Sequence, residues 1–422
     1  MKYTKTVLKN GLRIITIPMK ESQTAIMMIL VKAGLEYEDK RINGISHFVE
    51  HMCFKGTKQR TGEQISEELD SLGAYNNAFT GETFTGYYAK AQYKKIDKLI
   101  DIISDMYINP AFPKKDIETE RGVIIEEMNM YKDDYLERAA ELLNKIMYPN
   151  QLAGEAIIGT TKTLNSIKQQ DFFDYYNKHY VPSKTVVVVA GNIDPKKIQK
   201  QIQNIFSHLK KSPSVKKSKT QWTQTKPVLK ISNEKIDQTH LQIGFRSFDL
   251  YKKNKIAPLA IAGVILGGSR SSHLYRKMRE ELGVCYYISS SNQKSLDHGV
   301  FAIRSGVTNS RTGEVIKVIL EETKKLRDEE ISSAELKKAK DIILGNFANG
   351  VETSEDWASY YGFQELRDLE IESPKEFEKR IRAVTPKDVQ KVLKQIIRPE
   401  RLSVAIVGPH KNSSDFRKLL KI

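Results

Sequence analysis

Four apolar residues, Ile45, Phe48, Val49 and Met52, fall at i, i+3, i+4 and i+7, the spacing of one buried helical stripe. His47, Glu50 and His51 fall on the other side of that helix, with Asn43 placed as its N-cap and Gly56 as the residue just past its end. Upstream, two apolar runs across 8–18 are broken by Asn10-Gly11, which predicts a hairpin, and 24–32 reads as a further strand. Downstream, 64–72 has helical spacing, and near-alternation of Asn, Thr, Phe and Tyr across 74–88 predicts two strands around Gly81-Glu82. An amphipathic helix follows at 95–107. After Pro110 and Pro113 the pattern stays helical from 114 to 147.

The end of this region is repeated. A helix at 171–180, Val181-Pro182, a strand at 185–190 and Gly191 return with Asp171, Pro182 and Gly191 matched by Asp388, Pro399 and Gly408, each 217 positions later (388 − 171). The segment Thr24-Ala25-Ile26 is matched in the same way by Thr239-His240-Leu241, 215 positions on (239 − 24). Two copies of one α+β domain are therefore expected, residues 1–210 and 228–422, joined by a Lys, Ser, Thr and Pro-rich linker at 211–227.

Composition narrows the class. Four hundred and twenty-two residues suffice for two cores, and 40% apolar with 28% charged residues is the balance of a globular protein. The apolar runs at 25–31 and 186–190 suit buried strands and fall far short of the roughly 18 residues of a membrane span. The first residues lack a continuous apolar region, so a cytoplasmic protein without membrane association is expected. A net charge of +16 would suit nucleic acid, but the lysines are dispersed over solvated helix faces and the 210–219 cluster reads as linker. No nucleic-acid partner is expected. Two distant cysteines, Cys53 and Cys285, fit a reducing compartment rather than a disulfide framework.

The chemistry is concentrated at 47–51. Two imidazoles four residues apart stand one helical turn above each other and can share one tetrahedral Zn²⁺, while the carboxylate of Glu50 between them stays off the metal and holds a water. A third ligand is needed, and 120–127 supplies candidates. Glu120 and Glu127 are seven apart on one helical face, and Glu127 lies 80 residues after His47 (127 − 47), although spacing alone leaves Glu126 open.

With H-x-x-E-H followed by E-x₆-E at that distance, the sequence resembles the M16 metallopeptidases, the insulysin, pitrilysin and mitochondrial processing peptidase group. The resemblance spans the chain and implies two homologous α+β domains, each a mostly antiparallel sheet with helices on one face. It also implies one zinc per chain held by His47, His51 and Glu127, with Glu120 supporting them and Glu50 as general base. In the second copy 261–265 reads Ile-Ala-Gly-Val-Ile, so no ligands recur there. That copy instead carries Arg279 and Tyr286, similar to the family's R-x₆-Y pair that meets the substrate near the scissile carbonyl, with Tyr287 as the neighbouring alternative. Asn77-Ala78-Phe79-Thr80 resembles the edge strand onto which substrates add as an extra strand. The expectation is a zinc endopeptidase of oligopeptides or small unfolded polypeptides, assembled as a homodimer around a closing chamber. The rival from another class is a non-catalytic scaffold subunit of the same fold.

Overall fold

The computed structural model describes residues 1–213 and 215–422, so Ser214 of the expected linker lies outside the described residues. The first half runs β1 (Thr4–Val7), β2 (Arg13–Pro18), β3 (Thr24–Val31), α1 (Ile45–Met52), α2 (Gly62–Ser71), β4 (Tyr75–Thr80), β5 (Thr85–Gln92), α3 (Ile96–Ile108), α4 (Lys114–Asp133), α5 (Tyr135–Met147), α6 (Thr161–Ser166), α7 (Gln169–His179), β6 (Thr185–Gly191) and α8 (Pro195–Phe206). The second half runs β7 (Val228–Asn233), β8 (Gln238–Arg246), α9 (Lys253–Leu266), then α10 (His273–Tyr275), which continues as a π-helical stretch over Arg276–Glu281. It is completed by β9 (Cys285–Lys294), β10 (Gly299–Thr308), α11 (Thr312–Asp328), α12 (Ser333–Asn349), α13 (Ser354–Leu366), α14 (Pro374–Arg382), α15 (Pro386–Ile396), β11 (Leu402–Gly408) and α16 (Ser414–Arg417).

The first sheet has the order β1-β2-β6-β3-β5-β4 and the second β7-β11-β8-β10-β9. Among the described residues, β2–β6 and β7–β11 are the parallel pairs and the others are antiparallel. With β1 set aside, the two orders correspond strand for strand, which is the duplication expected from the sequence. The repeated residues also do the same work in both copies. Asp171 accepts the Lys168 N–H at the start of α7, as Asp388 accepts the Thr385 N–H at the start of α15. Pro182 and Pro399 each open a 3₁₀ turn, and the seven buried residues of β6 and β11 end in Gly191 and Gly408.

The continuous apolar character of β6 follows from burial on both faces. One face of the first sheet carries the larger core, to which α1, α3, α7 and α8 contribute Phe48, Ile103, Phe172 and Ile202. The opposite face, with Ile15, Ile26, Leu30 and Val188, is covered by Ala358, Tyr361 and Leu366 of α13. This corrects the contiguous division into 1–210 and 228–422. The compact units are Met1–Asn129 with Glu155–Ser218 and Asn349–Ile371, and Met130–Gly154 with Lys219–Ala348 and Glu372–Ile422. The halves thus exchange helices: α5 supplies Leu143 and Met147 to the second sheet, against Val300, Ala302 and Ala405. The helical stretch expected over 114–147 is likewise two helices. Its break is at Asp134, whose carboxylate accepts the N–H groups of Leu136 and Glu137 and so starts α5. Among the described residues no helix is long and apolar enough to cross a membrane.

Candidate metal centre

The α1 helix is fixed by its apolar stripe and by the capping of its N-terminus. Ile45, Phe48, Val49 and Met52 are fully buried. Its N-cap is Gly44, at φ +100°, where a Cβ would come within 2.7 Å of the Ile158 carbonyl oxygen. Asn43 is therefore not the N-cap. The capping carboxylate comes from outside the helix: Glu38 Oε2 accepts the Gly44 N–H and Asn43 Nδ2, and Oε1 accepts the Ser46 N–H, all at 2.9 Å. Burial pushes the Glu38 carboxyl up to about 7, and these donors pull against it. Gly56 is not the helix terminator either. The helix stops at Met52, and Gly56, at φ +129°, belongs to the turn that pairs with Thr61.

On the polar side, the His47 and His51 rings meet edge to face at 4.7 Å between centroids, and their Nε2 atoms lie 3.8 and 3.7 Å from one atom, Glu127 Oε2. All three ligand atoms fall within 4.8 Å of one another. Glu126, the alternative left open by spacing, is exposed. Burial, with His51 alongside, holds the His47 imidazole down at about 4, so it is neutral at physiological pH. The donor set fits Zn²⁺: two imidazoles and a carboxylate converge as acceptors, and tetrahedral ligands at 2.0–2.2 Å stand about 3.4 Å apart. The two separations from Glu127 Oε2 need close by only a few tenths of an ångström.

The supporting groups are equally specific. Glu120, 5% exposed, places Oε2 3.1 Å from His51 Nδ1, which fixes the tautomer that leaves Nε2 free as a ligand. Its other oxygen, Oε1, is 2.7 Å from Lys55 Nζ. The Thr80 hydroxyl donates to Glu50 Oε2 at 2.5 Å. Burial raises the Glu50 carboxyl to about 7, while Thr80 and His51 pull it down and Glu127 adds to the rise. His47 Nδ1 is buried and has no hydrogen-bond partner among the described residues. Sequence reasoning missed Glu38, Lys55 and the Thr80 hydroxyl. For Lys55 a signal existed, since it follows His51 by four.

Strand β4 is the outer strand of its sheet. Alternation divides its residues: Ala78 packs with the core on the α1 side, whereas the Phe79 ring turns to the other face, against Phe84, Tyr88 and Phe363. Asn77 is exposed, and its side chain accepts the Ala78 N–H at 2.8 Å. In the second unit, Arg279 sits in the π-helical stretch and donates to the Cys285 carbonyl at 2.8 Å. Tyr286 follows at a β-bulge: Cys285 pairs with Val307 and Tyr287 with Gly306, which leaves Tyr286 unpaired and 57% exposed. Tyr287 instead hydrogen-bonds His240 Nδ1 at 2.9 Å, so of the two tyrosines Tyr286 is the open one.

Comparison with known proteins bears on the family and the fold. Residues 13–161 match the family described as insulinase (peptidase family M16), and residues 166–343 match the peptidase M16 inactive domain. A protein of Rickettsia bellii named as an uncharacterized zinc protease is 30% identical over 409 residues, covering 97% of this chain and 98% of that one. An uncharacterized zinc protease of Bacillus subtilis is 30% identical over 405 residues, covering 96% and 98%. The crystal structure of a protease from Helicobacter pylori superposes with a TM-score of 0.87 at 20% identity, over 97% of this chain and 99% of that one.

Proposed function

Because the chain belongs to the M16 (insulinase) peptidase family, we propose that it is a zinc-dependent endopeptidase with His47, His51 and Glu127 as ligands and Glu50 as general base. The observation that carries this reading is the convergence of two imidazole Nε2 atoms on Glu127 Oε2 beside a buried carboxylate. Zinc, when bound there, supplies Lewis acidity that lowers the pKa of water towards about 7 and polarises a peptide carbonyl.

The remaining steps belong to the chain. Thr80 occupies Glu50 Oε2, and Oε1 takes the proton of the attacking water and passes it to the leaving amine nitrogen. Burial, which favours its neutral acid, and the Thr80 hydroxyl, which favours its carboxylate, suit a group that must both accept and return a proton. Glu120 holds His51 by Nδ1. A substrate strand added to the free edge of β4 runs along the strand whose last residue, Thr80, contacts that base. Pairing through the main chain of Asn77, Ala78 and Phe79 tolerates many sequences, which suits oligopeptides and small unfolded polypeptides. It also requires the Asn77 side chain to release the Ala78 N–H.

Arg279 and the exposed Tyr286 are read as the groups that meet the substrate near its scissile carbonyl, contributed by the second subunit of a homodimer that closes as a chamber. Cleavage of a quenched peptide by the purified protein, lost by at least about a thousandfold in Glu50→Gln, tests the catalytic assignment. Near wild-type turnover in that variant would refute it. Mixing inactive His47→Ala with inactive Tyr286→Phe under subunit exchange should restore about a quarter of wild-type activity if sites are shared. No recovery despite exchange would refute sharing.

A further inference from the structure

Two residues beyond its C-cap, α1 is followed by a cation whose contacts lead back to a metal-facing ring. Lys55 Nζ lies 2.7 Å from Glu120 Oε1, and Glu120 Oε2 lies 3.1 Å from His51 Nδ1. One carboxylate thus joins an ammonium on one side to an imidazole on the other. The geometry around Lys55 is fixed at both ends. Its N–H bonds to the Met52 carbonyl, at the helix end, and the next residue is Gly56, whose left-handed φ of +129° turns the chain.

An ion pair on an open surface is screened by water and contributes little. This pair differs because the Glu120 side chain is only 6% exposed. A carboxylate removed from water must have its oxygens occupied, and here each oxygen has one partner. With Oε1 released, the carboxylate could turn about its terminal torsion, which is broad for Glu, and Oε2 would lose its aim at Nδ1. The His51 ring would then lose the partner that fixes its tautomer and the direction of Nε2.

We propose that Lys55 is a positioning residue of the metal centre: by holding Glu120 Oε1 it keeps Oε2 on His51 Nδ1 and so sets the affinity of His51 for the metal. The inference rests on the reading of His51 as a zinc ligand and adds a residue to it. Lys55 touches neither metal nor substrate in this role. Its effect should pass wholly through Glu120, and this separates it from a lysine that merely supports the turn after α1.

Zinc affinity, measured by competition with a chromophoric chelator on the purified full chain, provides a readout independent of turnover. Wild type should bind one zinc per chain; if it binds none, the zinc reading itself fails and the role of Lys55 falls with it. Lys55→Met should weaken zinc by about 10-fold or more, within the 10–100-fold range of such supporting partners. Lys55→Arg, which restores a cationic donor, should recover to within about threefold of wild type. In a Glu120→Ala background, Lys55→Met should add less than about twofold, because its partner is already gone. Lys55→Met affinity within twofold of wild type would overturn the proposal. An equal loss with and without the Glu120 carboxylate would do the same.

Discussion

The two units build the same sheet order from the same repeated punctuation, yet one carries a candidate metal centre in the helix after its second long strand and the other carries plain core there. The difference lies in α1 against α9. At the 215-residue offset, His47, Glu50 and His51 of α1 fall on Ala262, Ile265 and Leu266 of α9, three buried apolar residues. Helix α1 buries one stripe and leaves its imidazoles part-exposed, whereas α9 is apolar on nearly every side and contains no His, Cys, Asp or Glu. The fold therefore tolerates both. What distinguishes the first copy is the polar face of α1 together with the groups that meet it, Thr80 at the end of β4 and Glu120 and Glu127 of α4, and not the sheet order that both copies share.

Moving the charge from one copy to the other should break the comparison most visibly. Ile265→Glu, which puts the counterpart of Glu50 into α9, places a carboxylate at a buried apolar position and should cost on the order of 4 kcal/mol. Glu50→Gln in α1 should leave the melting temperature nearly unchanged, because that site already receives a polar group from Thr80. Thermal melts of the two variants decide this, and a tolerated Ile265→Glu would show that burial of α9 is not what separates the copies.

A smaller effect sharpens the comparison at α7 and α15. His179 and Ile396 are matched by the 217-residue offset, both buried, and His179 lies between the rings of Tyr37 and Tyr175. Burial, with Lys178 and Lys184 adding to it, lowers the His179 imidazole to about 4. The unfolded chain takes up this proton near 6.5 and the folded chain only near 4. Stability is thus fully present above 6.5 and is lost as pH falls through 4, by up to roughly 3 kcal/mol. His179→Ile, which makes the first copy like the second, should flatten the decline in melting temperature between pH 6.5 and 4. An unchanged slope would mean that other groups carry the acid sensitivity.

Much of this was legible because its signals are local. The stripe of Ile45, Phe48, Val49 and Met52 and the spacing of His47, Glu50 and His51 each lie within a few residues, and the Asp-Pro-Gly repeat keeps one constant offset that the sequence carries directly. The exchange of α5 and α13 was not, since it depends on which sheet face lacks cover, a property of the assembled layers. Glu38 escaped for a similar reason: it caps α1 across a loop, and Asn43, the polar residue next to Gly44, is instead one of its donors. The bulge that exposes Tyr286 over Tyr287 arises from pairing with β10, which sequence alternation alone does not contain.

The ligand set itself can be tested by measuring zinc per chain in metal-loaded, desalted wild type, Glu126→Gln and Glu127→Gln. One equivalent in wild type and in Glu126→Gln, with loss of bound metal in Glu127→Gln, is the expected result, since only Glu127 faces the two imidazoles. Stoichiometric zinc retained by Glu127→Gln would contradict it.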